Sequence, residues 1–217
     1  MLSSASNNSE LTREEKIDEL GKIEEQLKND PSTPLYAYRK ENDYQTVTGE
    51  GDPDASILFI GEAPGAKEAE TGRPFVGRAG QMLNTLLESI GLSRQEVYIT
   101  NIVKDRPPGN RDPRAAEIAY YAPYLQRQLK IIQPKVIATL GRFSMNFILD
   151  QYDLPVKDQT IGDLHGELLT AKTSFGIVKI LPLYHPAAMF YNRKLQPVIE
   201  KDFKILEQFA SSKTNSG

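Results

Sequence analysis

The segment ILFIGEAPG, residues 57–65, joins four consecutive apolar residues to a turn rich in glycine and proline. Such a run followed by turn formers is typical of a strand buried on both faces. Three further apolar runs follow, and helical periodicity separates most of them. They are VYITNIV at 97–103, VIATLG at 136–141 and GIVKILPLYHP at 176–186. Since strands separated by helices pair in parallel through right-handed crossovers, the sequence predicts an α/β fold. We expect a central, mostly parallel four-stranded sheet with helices on both faces.

The segments around these strands predict helices. Thr12 and Glu15 form the capping box of an N-terminal amphipathic helix that ends near Asp30 and Pro31. A later helix begins at Asp112, which can cap its first turn. Besides the N-terminal one, the predicted helices cover about 77–90, 112–132, 142–149 and 196–209.

The length of 217 residues suits one domain. We expect this domain over 11–210, between disordered polar tails at 1–10 and 211–217. No apolar run approaches the roughly 18 residues of a membrane span, and the polar N-terminus lacks the apolar stretch of a signal peptide. These features predict a cytoplasmic protein with no membrane partner.

Cysteine is absent, and the two histidines are His165 and His185. This composition excludes thiolate nucleophiles, cysteine-held iron–sulfur clusters and sites with several histidine ligands. The net charge of -3 and the pI of about 5.6 argue against nucleic-acid binding. They argue weakly, because a local basic face decides phosphate contact. Since thiolates and sites with several histidine ligands are excluded, the chemistry must use carboxylates, amides, imidazoles and backbone groups.

Three unusual segments fall at the carboxyl ends of the predicted strands, where open α/β sheets bind ligands. GEAPG (61–65) follows the first strand, Asn101 lies in the second, and HPAA (185–188) follows the fourth. Glycines allow the backbone to approach a ligand closely, although GEAPG alone is better explained as a tight turn. The topology nevertheless predicts that the three segments meet at one edge.

Each candidate side chain has a functional and a structural explanation. The amide of Asn101 presents a donor beside an acceptor, which suits a pyrimidine edge, or it bonds a neighbouring loop. Phe75, in the loop RPFVG, either stacks on a base or plugs the core. His185 either donates a hydrogen bond to an oxygen that gains negative charge or bonds local backbone. His165 is the weaker candidate of the two histidines.

Taken together, these segments resemble the uracil-DNA glycosylase superfamily, and most closely its family 4. The resemblance covers roughly residues 30–207, and the pattern E-x-x-x-G-x-P-F-V-G-x-A-G followed by TNIVK and HP is highly specific. It implies a monofunctional DNA glycosylase of base excision repair, which hydrolyses the N-glycosidic bond of a flipped-out uracil and leaves an abasic site. The implied partner is uracil-containing DNA, bound by a monomer. The matching runs are GEGDPDASILFIGEAPG, TGRPFVGRAGQMLN, VYITNIVKDRPPGNRDP, QPKVIATLG and LYHPAA.

The resemblance assigns the turn from Gly61 to Gly65 to the motif whose backbone holds the flipped uracil. Ala63 stands where the superfamily's best-known branch has an acid that positions water. The group that activates water is therefore left open. We include Glu62, in the same turn, among the catalytic candidates.

Four side chains acquire roles from the resemblance. Glu68 is similar to the residue beside uracil C5, where a thymine methyl group would sit, and Phe75 to the stacking aromatic. Asn101 is similar to the amide that reads the uracil edge, and His185 to the histidine of the second motif. The predicted catalytic residues are Glu62, Asn101 and His185. The predicted substrate-binding residues are Gly61, Glu62, Ala63, Gly65, Glu68, Phe75, Asn101 and His185.

The loop after His185, AAMFYNRK, is predicted to face DNA. One of its large apolar residues can wedge into the base stack, although Met189 and Phe190 equally suit a core position. Its basic residues can meet phosphates. The predicted DNA-contacting residues are Arg111, Met189, Phe190, Tyr191, Arg193 and Lys194.

Members of family 4 usually hold a [4Fe–4S] cluster through four cysteines, and this chain has none. We therefore predict no cofactor and a metal-free site whose four residues still cluster. There an aspartate would cap a turn or pair with Arg106 or Arg111, while a tyrosine ring fills volume. A hard cation is the less favoured alternative. The positions that replace the cysteines are Asp30, Thr33, Asp105 and Tyr121.

Two other functions remain open from sequence. One is a non-catalytic DNA-binding homologue, against which the intact Asn101, Phe75 and His185 argue. The other is a hydrolase of small nucleobase or nucleoside compounds. The arginine-rich segment PPGNR and the aromatic loop after His185 favour a polymer substrate over that alternative.

Overall fold

A computed structural model describes residues 10–210. The predicted tails at 1–10 and 211–217 lie outside this range, except for Glu10. The capping box of Thr12 and Glu15 begins the first helix, as predicted. The helices are α1 (Arg13–Asn29), α2 (Tyr36–Glu41), α3 (Ala66–Thr71), α4 (Arg78–Ser89), α5 (Ala115–Ile132), α6 (Arg142–Gln151), α7 (Ile161–Leu164), α8 (Ala188–Tyr191) and α9 (Gln196–Phe203). Short 3-10 turns cover Arg94–Glu96, Pro108–Asn110, Arg193–Leu195 and Lys204–Phe209.

The strands form one sheet in the order β1-β3-β2-β4-β6-β5. The four central strands are parallel, and β1 and β5 pair antiparallel at the two edges. Register brings Gly61 opposite Asn101. The strands are β1 (Glu50–Gly51), β2 (Ile57–Gly61), β3 (Tyr98–Asn101), β4 (Val136–Leu140), β5 (Leu169–Thr173) and β6 (Gly176–Leu183).

Hydrophobic residues cover both faces of the sheet. Successive residues of β2 point to opposite faces, so Leu58 and Ile60 join one core cluster while Ile57 and Phe59 join the other. Helices α1, α5 and α6 complete the first cluster, and α4 and α9 complete the second. A strand that is apolar at every position is therefore explained by helices on both sides.

The predicted α/β class and the four parallel strands are confirmed. The sheet has six strands rather than four, because two short edge strands complete it. Only Ala171 of the edge strand β5 is buried, so this strand lacks the continuous apolar run by which the central strands were found. The helix predicted from 112 begins later, at Ala115, where the Glu117 carboxylate accepts the Arg114 amide N–H at 2.8 Å. In residues 10–210, no helix has the length and apolarity that crossing a membrane requires.

Candidate active site

A cavity of about 390 Å³ opens at the carboxyl ends of the central strands. The turn after β2, the end of β3 and the segment after β6 all contribute to it, as the sequence predicted for three separate motifs. The turn at 107–111 closes one side. The lining residues are Glu62, Ala63, Pro64, Gly65, Glu68, Phe75, Ala79, Asn101, Pro107, Asn110, Arg111, His185 and Ala187.

A larger groove of about 870 Å³ lies at the other end of the molecule. Its walls include Glu15 and Lys22 of α1, Arg127 of α5, and Gly176 at the amino end of β6. Ligands of open α/β sheets bind at the carboxyl ends of the strands, whereas this groove lies at the opposite end of the sheet. The smaller cavity is therefore the candidate active site.

Asn101 and Phe75 line this cavity, whereas Gly61, which was predicted to bind substrate, is not among the lining residues and packs directly against both of them. A β-carbon on Gly61 would collide with Oδ1 of Asn101 and lie 2.7 Å from the Phe75 ring. Asn101 is 2% exposed, and among residues 10–210 no side-chain hydrogen bond of its amide is found. A buried amide without a protein partner is free to bond a ligand.

Phe75 is held in an unusual backbone conformation. Its φ of 51° lies in the left-handed region, which an aromatic residue rarely adopts. The Arg94 guanidinium donates to the carbonyls of Phe75, at 3.0 Å, and of Pro74. The ring is 7% exposed and lies 5.8 Å from the His185 ring, centroid to centroid. This strained backbone conformation places the flat apolar ring of Phe75 beside the imidazole of His185.

The Glu68 carboxylate anchors the same loop. Its Oε1 accepts the amide N–H groups of Val76, at 2.9 Å, and Gly77, at 2.8 Å. Gly77 precedes α4, so the negative charge also lies at the positive end of that helix. Glu68 lines the cavity and fixes the Phe75 loop, a second role that the sequence did not predict.

The hydrogen bonding of His185 determines its tautomer. Nδ1 lies 3.2 Å from the amide nitrogen of Ala187 and accepts its N–H. The ring proton of neutral His185 is therefore on Nε2, the nitrogen left as a donor. Burial lowers the pKa of His185, against the opposing effect of the Glu68 charge. The site thus holds a neutral imidazole whose Nε2–H can act as a donor to a ligand.

Glu62 is the titratable group of the site whose pKa is most displaced toward neutrality. Burial and the nearby charge of Asp112 raise the pKa of Glu62 to about 7, against the opposing charge of Arg142. Half-buried carboxyls with such pKa values are typical of catalytic acids and bases.

The predicted DNA-contacting residues have different surroundings. Met189 is 5% exposed and belongs to the core cluster with α4 and α9, so we remove it from the DNA-contacting set. Phe190 is 37% exposed, with the Arg78 guanidinium 4.4 Å from its ring centroid, and Tyr191 is 90% exposed. Arg193 and Lys194 are exposed.

Arg111 lines the cavity and is also a structural residue. Its guanidinium donates to both oxygens of Glu117, at 2.9 and 2.5 Å. This pair lowers the pKa of Glu117 and ties the turn at 107–111 to the start of α5. Arg111 can therefore face a ligand while its guanidinium stays paired with the Glu117 carboxylate.

The positions that replace the cluster cysteines form a buried polar pair and an outer contact. Tyr121 donates to Oδ2 of Asp105 at 2.7 Å, and both residues are fully buried. The Nε of Arg39 lies 3.3 Å from Oδ1 of Asp105. Asp30 instead accepts a hydrogen bond from Tyr120 at 2.6 Å, and Thr33 is buried. Asp30 also accepts the amide N–H of Ser32 at 2.8 Å, which is the predicted capping of a turn by an aspartate. Asp105 pairs with an arginine, but that arginine is Arg39 of α2 rather than Arg106 or Arg111.

These residues do not fit an iron–sulfur cluster. The four positions carry carboxylate, hydroxyl and phenol oxygens, whereas such clusters are held by thiolates. A guanidinium beside Asp105 would also repel a cation. Within residues 10–210, no group of three or more His, Cys, Asp or Glu side chains is arranged to hold a metal ion.

Two buried cationic residues near these sites were not identified from sequence. Arg39 lies in YAYRKE and Lys104 in TNIVKD, and residues of these two charged types are ordinarily exposed. Their exposures of 3% and 0% depend on tertiary packing. The only local signal was for Lys104, which follows two apolar residues at the end of a strand.

The sequence of the chain is similar to those of known proteins. The profile of the Uracil DNA glycosylase superfamily matches residues 48–208. The type-4 uracil-DNA glycosylase of Saccharolobus solfataricus is 41% identical over 198 residues, which cover 91% of this chain and 89% of that protein. The type-4 enzymes of Sulfurisphaera tokodaii and Archaeoglobus fulgidus are 42% and 44% identical, over 89% and 77% of this chain and 86% and 83% of their own lengths.

Proposed function

The chain belongs to the uracil-DNA glycosylase superfamily, and we propose that it hydrolyses the N-glycosidic bond of uracil in DNA. One observation carries the proposal: a single cavity combines a free buried amide, an aromatic ring and a neutral, donating imidazole. These groups are Asn101, Phe75 and His185. The relatives named above as uracil-DNA glycosylases support the same substrate.

The cavity has the size and chemistry for one pyrimidine base. Uracil presents an N–H donor beside a carbonyl acceptor, and the Asn101 amide offers the complementary pair. The Phe75 ring can stack on the base, while the Gly61–Gly65 turn allows close backbone approach. The base must leave the DNA stack to enter, so the mechanism includes nucleotide flipping. The Glu68 carboxylate, held by two amides, would crowd a methyl group on C5 and disfavour thymine.

His185 would stabilise the departing base. As the bond to the sugar breaks, negative charge develops on the uracil oxygens and positive charge on the sugar. The Nε2–H of His185 can donate to a charged oxygen, and this bond strengthens as charge accumulates. A neutral imidazole keeps its proton through the step, so it lowers the barrier without being consumed.

Glu62 would act on the sugar side. Its carboxylate can stabilise the cationic sugar and orient or deprotonate the attacking water. The pKa of about 7 allows both protonation states near neutrality, which suits a general base. Ala63 provides no acid in the same turn, so Glu62 is the nearest candidate along the chain for the open water-activating role.

We propose that DNA lies across the carboxyl edge of the sheet. Tyr191 or Phe190 would wedge into the base stack, and Arg193, Lys194 and Arg111 would meet phosphates. We further propose a monomer in the cytoplasm, associated with the nucleoid, that works without a cofactor. The absence of thiolate ligands supports the last point.

The test uses oligonucleotides with a single uracil, incubated with the wild-type protein and with Asn101→Ala. Abasic sites are scored by alkaline cleavage on single- and double-stranded substrates. We expect cleavage by the wild-type protein and a loss of at least about 100-fold with the variant, because the site is built around that hydrogen bond. Binding without abasic sites would indicate a non-catalytic homologue. Release of base from free deoxyuridine alone would indicate a small-molecule hydrolase.

A further inference from the structure

Lys104 is fully buried directly behind Asn101. Its Nζ lies 2.6 Å from the Thr100 hydroxyl, 2.7 Å from the Asn101 carbonyl oxygen and 2.6 Å from Oε1 of Gln128. The carbonyl of Thr48 is a fourth acceptor at 3.3 Å. Three short contacts match the three donors of an ammonium group.

The network joins three separate parts of the fold. Thr100 belongs to β3, Gln128 to α5, and Thr48 to the segment before β1. Gln128 donates to the Thr48 carbonyl at 2.8 Å, and the Thr100 hydroxyl donates to the same carbonyl at 2.7 Å. The ammonium therefore lies at the centre of a buried polar cluster.

Lys104 contacts Asn101 at a point where one neighbouring strand of the sheet no longer pairs with that residue. Strand β1 pairs with Tyr98 and Ile99, so Asn101 lies beyond its register. On the other side, Gly61 is still opposite Asn101, and the Gly61 carbonyl accepts the next amide, that of Ile102, at 3.0 Å. Lys104 supplies a donor to the Asn101 carbonyl in place of a neighbouring strand.

We infer that Lys104 is a positioning residue for base recognition: its side chain fixes the backbone of Asn101 and thereby the direction of the Asn101 amide in the cavity. The inference rests on the proposed function. Among residues 10–210, the hydrogen-bond acceptors of Lys104 are all neutral oxygens and none is a carboxylate, so these acceptors alone offset the cost of burying it. Burial lowers the pKa of Lys104 well below its usual range. A group so costly to bury is best explained by a geometric requirement of its neighbour.

A double-mutant cycle separates positioning from a general structural effect. The variants are Lys104→Met, which keeps length and loses the donors, Asn101→Ala, and their combination. Leu27→Ala, a fully buried position on α1 away from the cavity, is the control for lost stability. Single-turnover excision of uracil is measured at saturating enzyme, with binding to uracil-free DNA measured separately.

We expect Lys104→Met to slow uracil excision at least about 10-fold while DNA binding stays nearly unchanged. In the Asn101→Ala background, the same substitution should slow excision by less than about 3-fold. Leu27→Ala should slow excision less than Lys104→Met, whatever its melting temperature. An equal loss in both backgrounds, or a near-wild-type rate, would overturn the inference. If Lys104→Met does not fold, Thr100→Val removes one acceptor and is tested in the same cycle. A wild-type protein that excises no uracil would overturn the proposed function as well.

Discussion

The α-carbon of Gly61 packs against the amide of Asn101 so closely that a methyl group there would collide with Oδ1. The same methyl group would lie 2.7 Å from two atoms of the Phe75 ring. Gly61 is the last residue of β2 and pairs with Asn101 across the parallel ladder. Glycine at this position therefore lets the amide of Asn101 and the ring of Phe75 lie side by side.

Gly61→Ala should abolish most uracil excision while the protein stays folded. The β-carbon must displace Asn101 or Phe75, and small misplacements of positioning groups cost about 100-fold in rate. Single-turnover excision and the melting temperature are measured together. Gly21→Ala, on α1 with open space around the new methyl group, is the matched control and should keep full activity. Excision by Gly61→Ala at the wild-type rate would contradict the close packing of Gly61 against Asn101 and Phe75.

His185→Ala should slow cleavage more than it weakens DNA binding. The Nε2–H bond strengthens only as charge develops on the base, so its loss raises the barrier and leaves ground-state binding nearly intact. Loss of one such donor typically costs about 100- to 1,000-fold in rate. Single-turnover rates are compared with affinity for uracil-free DNA. Equal losses in rate and affinity would indicate a binding role instead.

The rate of excision should rise with pH through about 7 and then level off, if the Glu62 carboxylate is the active form. Because the pKa of Glu62 is raised to about 7, the loss of carboxylate begins near neutrality. Below pH 7 the fraction of Glu62 in the carboxylate form falls about tenfold per pH unit. Glu62→Gln should remove this part of the profile and slow the reaction at high pH. The test is a set of single-turnover rates from about pH 5.5 to 9. Persistence of the same pH dependence in Glu62→Gln would assign it to another group.

Arg193→Ala and Lys194→Ala should each weaken DNA binding and reduce its salt dependence. Each lost phosphate contact lowers the slope of log affinity against log salt by about 0.9 on duplex DNA. Lys130→Ala, in the groove at the other end of the molecule, should leave the slope unchanged. Slopes equal to that of the wild-type protein would remove both residues from the DNA-contacting surface.

The sequence predicted which segments meet at this edge of the sheet, because strand ends are local features. Gly61 ends one predicted strand, His185 lies near the end of another, and Asn101 lies within a third that was predicted over 97–103. Parallel strands bring their carboxyl ends to one edge, and β3 itself ends at Asn101. The positions of these residues in the structure follow from that topology. Resemblance to a known family added the roles, which periodicity alone does not assign.

The parts that were missed depend on long-range packing. For Met189 the sequence left contact with DNA and a core position equally open, and in the structure its side chain packs in the core with α4 and α9. Arg39 and Lys104 looked like surface residues, and their burial requires partners from distant segments. Neither β1, of two residues, nor β5, with polar residues at alternate positions, has an apolar run that predicts a strand.

Buried side chains contact both carboxylate oxygens of Asp105. Arg39 approaches one carboxylate oxygen and Tyr121 donates to the other, while Nη2 of Arg39 donates to the carbonyls of Leu27 and Lys28 at 3.1 and 3.2 Å. These contacts connect the end of α1, α2 and α5, around the positions where the resembled family places its cluster. We expect the ion pair to perform the linking function of metal bonds here.

Arg39→Met should therefore destabilise the protein by about 3–5 kcal/mol, because it leaves the Asp105 charge buried without its cation. Asp105→Leu combined with Arg39→Met should recover part of that loss, since both charges are then removed. Denaturant unfolding measures the three free energies, and Asp30→Asn serves as the control because its main partner is the less buried Tyr120. A chelator should change neither the melting temperature nor the excision rate. Additive losses in the double variant would show that the two residues act independently, and a fall in melting temperature with chelator would restore a bound cation.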